Sequence, residues 1–181
     1  MSARGGLAVA AIVFALDQIV KYAVTSVLGL NQVGDARAIV SFFQLQFVSN
    51  CGVSLGLLQT DSALMRWALV LLTGGIATGV LVWLVRERNR VDRLALGLVF
   101  GGALGNIADR VLPPGVLGKV SASAIRYPGC VIDYADLHFG EWRPFLVFNL
   151  ADAAITIGVL VLLARALLSR DKRPAVEKAN A

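Results

Sequence analysis

The segment Trp67–Val85, WALVLLTGGIATGVLVWLV, carries no charged side chain and has tryptophans at 67 and 83. A run of about 20 apolar residues is what one helix needs to cross a bilayer, and tryptophans near its ends suit the two water–hydrocarbon boundaries. Working outward, three further apolar blocks stand at about 7–28, 94–111 and 146–168. The first follows Arg4 in the manner of a signal peptide, but it outlasts an h-region and contains Asp17 and Lys21, so it reads as a retained span. Composition agrees: 57% of the 181 residues are hydrophobic and 16% charged, against about 25% charged in soluble domains.

The basic residues sit at the ends of these blocks, which argues against nucleic acid as the reason for the net charge of +5. Arg86, Arg88, Arg90 and Arg93 crowd the loop between the second and third blocks, and Arg165, Arg170, Lys172, Arg173 and Lys178 follow the last. The positive-inside rule puts both segments and the N-terminus in the cytoplasm, which requires an even number of spans. The expectation is a membrane all-α fold, a four-helix transmembrane bundle over residues 1–168, with a polar cytoplasmic tail at 169–181. Connections 29–66 and 112–145 then lie outside. The alternation Phe43-Gln44-Leu45-Gln46-Phe47 reads as a strand and Asn50-Cys51-Gly52 as a turn, giving a small β-rich element on the outer face. With two cysteines and one histidine, a Cys/His zinc site is not expected, nor is any other metal or cofactor. Pairing of Cys51 with Cys130 is left open.

Polar residues inside the spans are costly, and this orientation gathers them at one boundary. Asn106, Asp109 and Arg110 fall at the outer end of the third span. Asn149 and Asp152 fall in the first turns of the fourth, and Asp17 and Lys21 in the outer half of the first. Asn106/Asp109 and Asn149/Asp152 are spaced i, i+3, and Asp17/Lys21 i, i+4, so each pair shares a helix face. Asp109 is grouped with Arg110 as structure. Gly101, Gly102 and Gly105 are expected to let helices approach closely. Asp136 and Glu141 read as solvated, with His138 as an interfacial neighbour of Asp136.

Five motifs occur in order: Asp17-Gln18-x-x-Lys21, Asn50-x-Gly52, Gly101-Gly102-x-x-Gly105-Asn106-x-x-Asp109-Arg110, Val131-x-Asp133-Tyr134 and Phe148-Asn149-x-Ala151-Asp152. Together they resemble the lipoprotein (type II) signal peptidases of bacteria. The resemblance implies an aspartic endopeptidase of the inner membrane, its site near the periplasmic face. It would cut prolipoproteins just before a diacylglyceryl-modified cysteine. It implies catalytic roles for Asp133 and Asp152, and supporting or substrate-binding roles for Asp17, Lys21, Asn50, Gly52, Asn106, Asp109, Arg110 and Asn149. Implied partners are lipid-modified prolipoproteins and membrane lipids; the oligomeric state is open. The chain departs from the family pattern at Ser54-Leu55 after the Asn-x-Gly motif, at Leu146, and in the long stretch 111–132.

Three rivals come from the residues themselves, one of them a membrane scaffold without catalysis, which would not need two carboxylates beside one boundary. Intramembrane acids also mark proton-coupled transporters, but a relay distributes ionisable groups through the membrane, whereas these gather toward one face. A serine peptidase using Ser54 with Lys21 would need those groups within hydrogen-bond reach.

Overall fold

The protein was analysed as a computed structural model, which describes residues 3–52, 63–112 and 129–170. Helix α1, Arg4–Tyr22, continues into a π-helical turn, Ala23–Val27. Helices α2, Ala63–Arg86, and α3, Arg90–Val111, follow, and α4 spans Leu150–Arg170. All four are long and apolar enough to cross a membrane. The long stretch beyond Leu112 up to 128, Ser54-Leu55 and the tail beyond Arg170 lie outside the described residues.

Helix α3 is the centre of the bundle and packs on α1, α2 and α4. That explains its low hydropathy: 44% of its apolar stretch is buried, against 28% or less in the other three, so protein rather than lipid covers it. Its glycines are the contact surface. A Cβ on Gly101 would lie 2.5 Å from the carbonyl oxygen of Ala10 in α1, one on Gly102 would strike Ala151 in α4, and one on Gly105 would lie 2.5 Å from Asp17 Oδ2. Small residues bring the backbones together because apolar burial gives no drive in lipid. At the other end of α3, the Asn89 side chain accepts from the N–H groups of Val91 (2.9 Å) and Asp92 (3.3 Å). This N-cap starts the helix at Arg90, four residues before the apolar block.

The β-rich element is a three-stranded antiparallel sheet in the order β1 (Ala36–Val40), β2 (Phe43–Asn50), β3 (Val131–Leu137). The segment carrying Asp133 is therefore a strand, not a loop. Its free edge is taken by Phe148, whose N–H donates to Ala135 O (3.0 Å) and whose carbonyl accepts from Ala135 N (2.8 Å). This bridge holds Phe148 outside the helix, and α4 begins at Leu150 instead of Leu146.

Asp136, read as solvated, is fully buried. Gln44 Nε2 donates to its Oδ2 (2.7 Å) and Arg143 forms an ion pair with the same oxygen. His138 Nδ1 lies 4.0 Å away.

Candidate active site

Helix α4 opens inside the protein, so its orphan N–H groups need partners from elsewhere. All four have them. Asp152 N donates to Asn149 Oδ1 (2.9 Å) and Asn149 N to Asp152 Oδ2 (3.2 Å). This reciprocal pair is a capping box built from Asn and Asp. Leu150 N donates to the Tyr134 hydroxyl (3.1 Å) and Ala151 N to Asp17 Oδ1 (3.0 Å). The i, i+3 spacing of Asn149 and Asp152 thus has a different cause from the one expected: Asn149 is the cap itself, outside the helix. Carboxylates at this end of α4 also meet the positive pole of the helix dipole.

Asp133, on β3, is 2% exposed. Asn149 Nδ2 donates to its Oδ1 at 2.6 Å, and Asn50 Nδ2 to its Oδ2 at 3.0 Å. Asn149 Nδ2 is also 3.3 Å from Asn106 Oδ1, while Asn106 Nδ2 donates to Asp152 Oδ1 at 2.8 Å. Two asparagine amides thereby link the two aspartates. Burial, reinforced by the negative charge of Asp152, pushes the Asp133 carboxyl up to about 7; the hydrogen bonds from Asn50 and Asn149 oppose that rise. Beside it, burial also holds the Tyr134 phenol above its ordinary range, so it stays protonated.

Behind this pair lies a second, ionic layer. Lys21 Nζ is 2.7 Å from both Asp17 Oδ2 and Asp109 Oδ2. Gln18 Nε2 reaches Asp17 Oδ2 (3.0 Å), Asp109 Oδ1 (3.2 Å) and Gly105 O (3.4 Å). Ile132 N–H donates to Asp109 Oδ2 at 3.3 Å, tying β3 to α3 one residue before Asp133. Asp109 and Arg110 make no direct ion pair among the described residues, since consecutive helical residues point apart, but the charge of Asp109 acts on Arg110. Arg110 instead donates to Asn106 O (3.1 Å) and Gly52 O (3.4 Å). Its Nε has no hydrogen-bond partner among the described residues, and its charge also acts on Asp133 and Asp152.

The ten residues singled out from the sequence therefore fall in two adjacent layers, one around Asp133 and Asp152 and one around Lys21, the second bonded to Ala151 and Ile132, the chain neighbours of the first. Gln18 and Tyr134 were quoted in the motifs but given no role. The Asn-x-x-Asp at the start of a span is the signal that would have identified the cap, and Tyr134 had no such signal, since its partner is a backbone N–H.

Fold and site together define a polytopic membrane protein with two hydrogen-bonded aspartates where α4 meets the sheet. The chain belongs to the signal peptidase II family, whose model, Peptidase_A8, matches residues 9–168. It is 47% identical over 169 residues to a lipoprotein signal peptidase of Sphingopyxis alaskensis, covering 93% of this chain and 88% of that one. A lipoprotein signal peptidase of Rhizorhabdus wittichii is 47% identical over 176 residues, 97% and 93% of the two chains. A bacterial membrane enzyme solved by the in meso method at 2.3 Å superposes with a TM-score of 0.73 at 25% identity, over 97% of this chain and 94% of that one.

Proposed function

We propose that this protein is an aspartic endopeptidase that removes the signal peptide from prolipoproteins, cutting before a cysteine that bears diacylglycerol, with Asp133 and Asp152 as its catalytic pair. The observation that carries the reading is the chain Asp133–Asn149–Asn106–Asp152, which joins two aspartates from different elements; burial and the charge of Asp152 push the Asp133 carboxyl up to about 7. Close carboxylates cannot both ionise freely, so one serves as acid and the other as base. Asp152, ionised, takes a proton from a water molecule as that water attacks the scissile carbonyl carbon. Asp133 donates its proton to the carbonyl oxygen. Collapse of the tetrahedral intermediate returns that proton to Asp133, and Asp152 passes its proton to the departing amine.

The other residues hold this pair in register. Asn50, Asn106 and Asn149 fix the carboxylate orientations, and Arg110, through Gly52 O, joins α3 to the end of β2. Asp17, Lys21 and Asp109 form the frame on which α4 and β3 are seated. Lys21 is engaged by two carboxylates, which disfavours its use as a base for Ser54.

Residues 1–168 form one integral domain of the bacterial inner membrane, with both termini and the α2–α3 junction, where Arg86, Arg88, Arg90 and Arg93 stand, in the cytoplasm. The site then faces the periplasm, where the substrate's lipid anchor would deliver the peptide bond to the membrane boundary. The Cys51–Cys130 disulfide supports that side, since such bonds persist in oxidising compartments.

The test is turnover of lipidated and unlipidated precursor by the purified protein in detergent micelles. Cleavage is expected only before the lipid-bearing cysteine. Asp133→Asn and Asp152→Asn are each expected to lower the rate by about 10²–10⁴-fold with the fold retained. A folded variant that turns over like wild type removes its residue from the pair.

A further inference from the structure

Cys51 and Cys130 are joined although 79 positions separate them, and the place of the bond is informative. Strand β2 ends at Asn50, β3 begins at Val131, and these two residues are register partners. The disulfide therefore sits directly beyond the last rung of the β2–β3 ladder. That rung carries Asn50, which among the described residues is the side chain that donates to Oδ2 of Asp133. Asn50 Oδ1 in turn accepts from Gly52 N at 3.3 Å, and Gly52 O accepts from Arg110. Both cysteines pack with Phe47 and Ile132 in a small apolar cluster beneath the rung. Strand ends open more readily than strand centres, so an unclamped Asn50 would spend time away from Asp133.

We propose that the Cys51–Cys130 disulfide positions Asn50 on Asp133, so that turnover depends on the redox state of this bond. The inference rests on the reading of Asp133 as catalytic. The cysteines touch no reacting atom; they act through Asn50. Opening the bond requires an external dithiol: the S–S bond breaks, each sulfur gains an electron and a proton, and the dithiol becomes a disulfide. The Asn50 hydrogen bond lowers the proton affinity of Asp133, so its loss raises that affinity and moves the basic limb of the pH–rate profile to higher pH.

The test compares oxidised protein, dithiol-reduced protein and the Cys51→Ser/Cys130→Ser variant on lipidated precursor in micelles. The reduced and serine forms are expected to lose about tenfold in kcat, with KM little changed and the basic limb shifted upward by about one pH unit, the effect of losing one hydrogen bond to a charged group. Reoxidation of the reduced protein is expected to restore both, which keeps the test valid if the serine variant does not fold. In an Asn50→Ala background, opening the bond is expected to add nothing further, since residues acting through one contact are not additive. The proposal is overturned if reduced protein matches oxidised protein in rate and limb, or if reduction exerts its full effect on Asn50→Ala. Unimpaired turnover by Asp133→Asn would instead overturn the catalytic reading, a separate outcome seen without touching the cysteines.

Discussion

Replacing Lys21 by Met tests the ionic layer behind the catalytic pair. Lys21 is 3% exposed and Asp17 fully buried, and Nζ lies 2.7 Å from a carboxylate oxygen on each of Asp17 and Asp109. Methionine keeps most of the side-chain volume but leaves two acids facing one another with their shared cation gone. Removing one partner of a buried ion pair costs about 3–5 kcal/mol. For a chain of this size about 1 kcal/mol moves the midpoint by roughly 2–4 °C, so the melting temperature is expected to fall by roughly 6–20 °C. Asp109→Asn in the same molecule removes the mutual repulsion, and the double variant is expected to recover a large part of the loss. The assay is thermal unfolding of purified protein in one detergent, followed by circular dichroism and intrinsic fluorescence. A Lys21→Met protein that melts with the wild type, or a double variant showing simple addition of its two losses, would refute the reasoning.

Two further outcomes follow from the same geometry. Catalysis needs Asp133 protonated; because its proton is held up to about pH 7, the competent form is complete below that value and is lost as pH rises through it. The wild-type kcat/KM is therefore expected to drop about tenfold for each pH unit above the limb, and a profile flat up to about pH 9 would contradict the assignment. Gly101→Ala, whose Cβ would meet Ala10 O at 2.5 Å and Ala10 Cα at 2.9 Å, is expected to cost about 1–3 kcal/mol through overpacking. Gly74→Ala in α2, with nothing within 4 Å, is its control and is expected to leave the melting temperature unchanged or raise it.

Features that depend on neighbours along the chain were legible in the sequence. Each apolar block could be read by itself, and Asp17 with Lys21 followed from one helical turn. The arrangement of Asp133 was not legible. Strand β3 buries aspartates at 133 and 136 within seven residues, so no apolar alternation marks it, and its partner β2 is about 80 residues away in the chain. Asp136 looked solvated because Arg143 reaches it across a turn that only the tertiary structure creates. Asn149 was misassigned to a helix face because hydropathy does not distinguish the start of an apolar block from the start of a helix. The bridge to β3 holds Phe148 outside the helix, which starts four residues later. The motifs carried what local pattern could not, by joining positions that physics alone left separate.

The disulfide also bears on how the molecule is assembled in the bilayer. The ring it closes contains the whole of α2 and α3, so Cys51 and Cys130 reach the same side only after both helices have been threaded. A nascent chain that skips either crossing leaves its two sulfurs in different compartments as free thiols. The bond is thus a covalent record of correct insertion, and maleimide labelling of unreduced membranes would count the molecules that failed to earn it.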